Sequence, residues 1–131
     1  MAVFDRNKFC NRVALMNLYH CSIDLKDGTK ALAFANAVEI WMGYLQQRGK
    51  IQGWRLMRRK LGLAADSCRD FLLEVEVEDL SQLDQAFRTL EEKDEEVERL
   101  YSNVNALIAH SEIGLYRPFP DPERAERMAL I

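Results

Sequence analysis

Two histidines, three cysteines and one basic run, Trp54-Arg55-Leu56-Met57-Arg58-Arg59-Lys60, carry most of the reactive or ligand-seeking chemistry in these 131 residues. His20 and Cys21 are adjacent, which suggests a thiolate–imidazole pair. Successive strand residues point to opposite faces, however, which excludes nucleophilic catalysis by this pair. Cys10, Cys21 and Cys68 form no CxxC spacing, and their odd number suits neither a zinc site nor a disulfide framework. They read as reduced thiols in cytoplasm, with no metal and no cofactor expected. Arg55 and Arg59 on one strand, facing Glu74 and Glu76 on its hairpin partner, could bind an acidic ligand or act as acid and base. Cross-strand charge pairing accounts for them more simply.

What survives is a ligand-binding set on one sheet face: His20, Ser22, Arg55 and Tyr116. His20 and Tyr116 are neutral hydrogen-bonding side chains of useful reach, and a guanidinium can hold an anionic group by two prongs. A lone histidine on a strand is ordinarily a hydrogen-bonded structural residue, and that simpler reading competes with a ligand site.

The elements that must position this set follow from hydrophobic period. Tyr19, Cys21, Ile23 and Leu25 alternate with Leu18, His20, Ser22 and Asp24, a period of two that predicts a first strand. From Lys30 to Arg48, Phe34, Val38, Trp41 and Leu45 recur at helical spacing, and Gly49 follows where a helix C-terminus favours glycine. Ile51 to Leu61 and Phe71 to Val77 read as a hairpin of two strands.

Ser81 with Asp84 resembles a capping box opening a second helical region that runs to Ile108. Unbroken, that helix would be about 42 Å long, so a break is expected near Glu92 to Asp94, with Asp94 capping the next segment. A Glu95–Arg99 pair would support its acidic face. Ile113 to Tyr116 is the last strand, stopped by Pro118 and Pro120, and His110 falls in a loop before it. Asp121-Pro122 then reads as the start of a short terminal helix.

The order strand, helix, strand, strand, helix, strand predicts an α+β chain, a ferredoxin-like βαββαβ protomer with helices on one face of a four-stranded antiparallel sheet. The helix side should carry Tyr19, Cys21, Ile23, Trp54, Leu56, Phe71, Leu73, Val75, Val77, Ile113 and Leu115. The other side should show His20, Ser22, Arg55, Met57, Arg59, Leu72, Glu74, Glu76 and Tyr116. Residues 1–15 read as an N-terminal extension, 16–121 as the domain and 122–131 as the terminal helix.

A net charge of −3 gives no electrostatic case for nucleic acid or an anionic membrane as the main partner. The longest apolar stretch, Ala31 to Leu45, is interrupted by Asn36 and Glu39 and is too short to span a bilayer. The same topology builds RNA-recognition domains, and the basic run with its tryptophan would suit one. The third strand, Asp70-Phe71-Leu72-Leu73-Glu74-Val75-Glu76, instead sets carboxylates where phosphates would pass.

The element order, the short turns, the acid-rich break in the second helical region and the terminal Gly114-Leu115-Tyr116-Arg117 together resemble the dimeric α+β barrel superfamily. Among its branches the chain looks closest to NIPSNAP-like and antibiotic-biosynthesis-monooxygenase-like proteins and to an uncharacterised bacterial family. The resemblance covers Met16 to Asp121 and implies a homodimer whose sheets pack face to face. It also implies a small, partly apolar ligand, often held between sheet and helices, or a cofactor-independent monooxygenase or isomerase activity. Heme-degrading members use an Asn, a Trp and a His, for which Asn17, Trp54 and His20 or His110 are the raw material; neither histidine maps onto the heme-ligating helix position.

Overall fold

The computed structural model describes residues 16–63, 65 and 67–120. The expected N-terminal extension and the terminal helix of residues 122–131 lie outside the described residues. Strands β1 (Asn17–Leu25), β2 (Gly53–Arg58), β3 (Phe71–Val77) and β4 (Ile108–Tyr116) alternate with helices α1 (Ala31–Gln47), α2 (Leu80–Glu91) and α3 (Glu95–Asn105). Every strand pairing is antiparallel, and the sheet order is β2-β3-β1-β4. This is the ferredoxin-like βαββαβ arrangement, with the helices on one face.

The core lies between that face and the helices. From α1, Phe34 and Val38 are fully buried and Trp41, Met42 and Leu45 nearly so; they meet Ile23, Phe71, Leu73, Val75 and Val77 of the two central strands. Phe34 packs edge-on against Phe71 with ring centroids 5.3 Å apart. Val97, Leu100 and Val104 close the core from α3.

Helix ends follow local chemistry. Gly49 (φ 70°) sits just past α1 in the left-handed conformation that terminates helices, and the Lys50 amide donates back to the Leu45 carbonyl at 2.9 Å. The break in the second helical region falls at Glu92, which is extended, and Asp94 caps α3 by accepting from the amides of Glu96 and Val97.

Several expectations are corrected. The cap of α2 is Asp79 rather than Ser81: its carboxylate accepts from the Gln82 amide at 2.8 Å, while Gln82 accepts from the Glu78 amide at 2.7 Å. Gln82 also donates to the Gly49 carbonyl at 3.0 Å, tying the start of α2 to the end of α1, a contact that outweighs the local Ser81–Asp84 pattern. The i, i+4 ion pair lies on α2 between Asp84 and Arg88, not between Glu95 and Arg99.

Strand β2 is shorter than Ile51–Leu61, because the chain turns at Lys60–Leu63. Strand β4 is longer than Ile113–Tyr116 and includes His110, which pairs with Asp24; its polar first half lies on an exposed sheet edge, where no alternation is required. Ile113 and Leu115 oppose Cys21 and Tyr19 on the helix side but are 63% and 45% exposed, since β4 lies beyond the cover of the helices.

Candidate functional site

On the helix-free face, register sets the functional side chains in rows across the strands. The central row runs Arg55, Glu74, His20, Gly114, from β2 through β3 and β1 to β4. Glu74 is 8% exposed, and one of its carboxylate oxygens accepts from Nε of Arg55, whose side chain remains largely exposed. A carboxylate at the middle of a sheet is tolerable only with such a partner, because an unpaired buried charge costs several kcal/mol.

Tyr116 belongs to the row of Leu18 and Glu76, yet its ring folds over Gly114. A Cβ at Gly114 would lie 3.0 Å from that ring, so glycine is what lets the phenol lean toward the centre. There it meets the His20 imidazole edge-on, centroids 5.5 Å apart.

Three of the four expected ligand-binding residues therefore gather. His20 and Tyr116 touch, and Arg55 is separated from His20 by Glu74. Ser22 does not join them. It lies in the next row, between Leu72 and Glu112.

Arg55 and Tyr116 also line an open cleft of about 330 Å³ at one end of this face, together with Leu18, Glu76, Arg117 and Pro118. Sequence reasoning missed Arg117, whose Nε donates to Oδ1 of Asn17 at 2.6 Å. Asn17 is buried and donates in turn to the Glu78 carbonyl at 3.3 Å. The asparagine that the resemblance offered for heme chemistry is thus engaged in tying the start of β1 to the residues that follow β4 and β3.

At the opposite end of the face is a charge cluster that sequence pattern does not reveal. Asp24 accepts from the Asp70 amide at 3.0 Å and from Arg69 at 2.8 Å, and Arg69 also donates to Glu112 at 2.7 Å. The backbone hydrogen bond, reinforced by the guanidinium, holds the Asp24 carboxyl below its ordinary range, and Arg69 is correspondingly raised. Arg59, expected to face Glu76, pairs instead with Asp70 at 3.1 Å, because Asp70 is its neighbour across the hairpin.

The helix side of the β4 edge carries an apolar strip. Ile113, Leu115 and Phe87 are exposed there, and Tyr19 packs edge-on against Phe87 with centroids 5.6 Å apart. Burial, helped by Cys21 and Tyr101, pushes the Tyr19 phenol above its ordinary value, and burial pushes the Cys21 thiol up as well. Cys21 is therefore held as a thiol, the opposite of an activated nucleophile. Among the described residues no group of three or more His, Cys, Asp or Glu side chains could hold a metal ion. No helix among them is long and apolar enough to cross a membrane.

A profile described as a family of unknown function (DUF6614) matches residues 16–131, and the chain belongs to that family. No curated protein matches the sequence. Among solved structures, the chain is similar to a dimeric ferredoxin-like protein of unknown function from Jannaschia sp. CCS1, with TM-score 0.61 and 9% identity over 79% of this chain and 99% of that one. It is also similar to a hydroxynitrile lyase from Passiflora edulis, with TM-score 0.61 and 9% identity over 80% and 94% of the two chains. A candidate antibiotic biosynthesis monooxygenase from Bordetella bronchiseptica gives TM-score 0.58 and 15% identity over 79% and 96%. At these identities the likeness is one of fold.

Proposed function

We propose that this member of the family is a cytoplasmic homodimer that binds a small, partly apolar molecule on the helix-free face of its sheet, through Arg55, Tyr116 and His20. The observation that carries the reading is the open cleft of about 330 Å³ in which Leu18 and Pro118 meet Arg55 and Tyr116. Apolar walls with a few convergent polar groups are the usual make-up of a small-molecule site. The outer nitrogens of Arg55 can take an anionic group while Nε stays with Glu74. Ser22, two residues along β1, would border such a molecule only if it extended toward Leu72.

Dimerisation rests on the same face. Met57 and Tyr116 are exposed on it, Leu18 and Leu72 are half-buried, and the Jannaschia protein of this fold is described as dimeric. A second copy against this face would turn the open cleft into a chamber. Cys21 and Cys68 are free thiols, which fits a reducing compartment.

A second reading has its own observation. The strip of Ile113, Leu115 and Phe87 with the Tyr19 hydroxyl would suit an apolar ligand lying between sheet and helices, as the α+β barrel resemblance implies. The monooxygenase-type activity carried by the name of the Bordetella protein would add a reaction to either site.

A thermal-shift screen with small aromatic and aliphatic carboxylates separates these readings. Arg55→Ala and Tyr116→Phe should abolish the shift and Ile113→Ser should leave it intact; the reverse pattern moves the ligand to the helix side. Light scattering after size exclusion should give twice the chain mass, and a monomer would remove the dimer.

A further inference from the structure

Far from the cleft, the chain reverses between β2 and β3 through Lys60-Leu61-Gly62-Leu63, closed by the Leu63 amide donating to the Lys60 carbonyl at 3.1 Å. Both central residues have positive φ, 58° at Leu61 and 65° at Gly62. Turns with two central residues at positive φ ordinarily take Asn, Asp or Gly at the first position, and a leucine there is strained. Leu61 is 88% exposed and Leu63 is 83% exposed, so no packing in the described protein compensates. A strained backbone that displays an apolar side chain to water points to use of that side chain by something outside the molecule.

The surroundings say what that is. The turn follows three consecutive cations, Arg58, Arg59 and Lys60, which wall a groove of about 270 Å³ with Leu63, Met57 and Leu72 on its apolar side. Arg59 is paired with Asp70, whereas Arg58 lies over the Phe71 ring and, like Lys60, forms no salt bridge among the described residues. Asp66 is the one further acid in the loop sequence.

We propose that the β2–β3 turn docks on an anionic lipid surface, with Leu61 and Leu63 inserted among the acyl chains and Arg58 and Lys60 at the headgroups. Two exposed leucines at a turn fit a fluid interface, which closes around them, better than a protein partner, which would need a preformed seat. Cations beside the tip complement negative headgroups, a combination of apolar insertion and basic residues that makes peripheral binding stable.

The test is co-sedimentation of the full chain with phosphatidylcholine vesicles, with and without phosphatidylglycerol. Binding should need phosphatidylglycerol and be lost near roughly 1 M salt, where the screening length falls to about 3 Å. The double variant Leu61→Ser, Leu63→Ser should weaken the partition about tenfold or more, and Lys60→Glu should weaken it too, with melting temperatures not lowered. Failure to bind phosphatidylglycerol vesicles would overturn the proposal, as would binding that neither variant weakens. Retention by polyaspartate or single-stranded RNA without vesicle binding would overturn it in favour of an acidic polymer.

Discussion

Asp24 is the side chain on which the tip end of the sheet depends, and its removal has a calculable cost. One carboxylate oxygen accepts the Asp70 amide at 3.0 Å, and the other accepts Arg69 at 2.8 Å. The side chain is 37% exposed, so the ion pair is partly screened. A hydrogen bond of this kind contributes about 0.5–1.5 kcal/mol net, and one to a charged group somewhat more before screening. Asp24→Ala should therefore cost about 2 kcal/mol, a melting-point loss of roughly 6 °C for a chain of this size. Asp24→Asn keeps an acceptor for the Asp70 amide and should cost about half as much.

The carboxyl's folded value is depressed, so its stabilisation is fully present above the unfolded value of about 3.9 and is lost as pH falls through the lower folded value. Denaturant melts should show a constant gap between the native chain and Asp24→Asn from neutral pH down to about 5, closing below about 4. Glu112→Ala is the control: its side chain is 67% exposed and should cost less than about 0.5 kcal/mol. A gap that persists unchanged into acid, or an Asp24→Asn protein as stable as the native chain at pH 7, would refute the account of this cluster.

Three further outcomes are expected. Asp79→Ala removes the α2 cap and should lower stability by about 1 kcal/mol in urea melts, whereas Ser81→Ala should change it little. Gly114→Ala places a methyl 3.0 Å from the Tyr116 ring, so the ring must leave His20; loss of the nuclear Overhauser contacts between the two rings, without unfolding, would verify the packing. Leu61→Asn relieves a positive φ and should raise stability by about 0.5–1 kcal/mol while weakening vesicle binding, a pairing that a merely tolerated leucine would not produce.

Element order was legible because most elements here carry a clear period, β4 only in its second half. The alternation of Phe71 to Val77 and the spacing of Phe34, Val38, Trp41 and Leu45 come out as β3 and the buried side of α1. The helix break was legible from length alone, and Asp94 supplies its cap. Boundaries failed where the deciding partner is distant in sequence. Asp79 caps α2 in a network that Gln82 extends to Gly49, and nothing near Ser81 records that contact. The polar residues Ser111 and Glu112 look like loop until β1 pairs with them.

The same reason explains the candidate site. Alternation alone places His20, Ser22, Arg55 and Tyr116 on one face, and the face is right. Which of them meet depends on strand order and register, which bring His20 beside Gly114 and leave Ser22 beside Glu112. Alternation also places Glu74 with this polar set, and it lies there, but between Arg55 and His20 at the centre of the sheet it is buried rather than open to solvent. That position makes Arg55 a structural counter-ion first, and its role toward a ligand belongs to the proposed site. A molecule bound in the cleft must share the guanidinium with Glu74, so an anionic ligand should bind more tightly to Glu74→Gln than to the native chain, provided that variant keeps its fold.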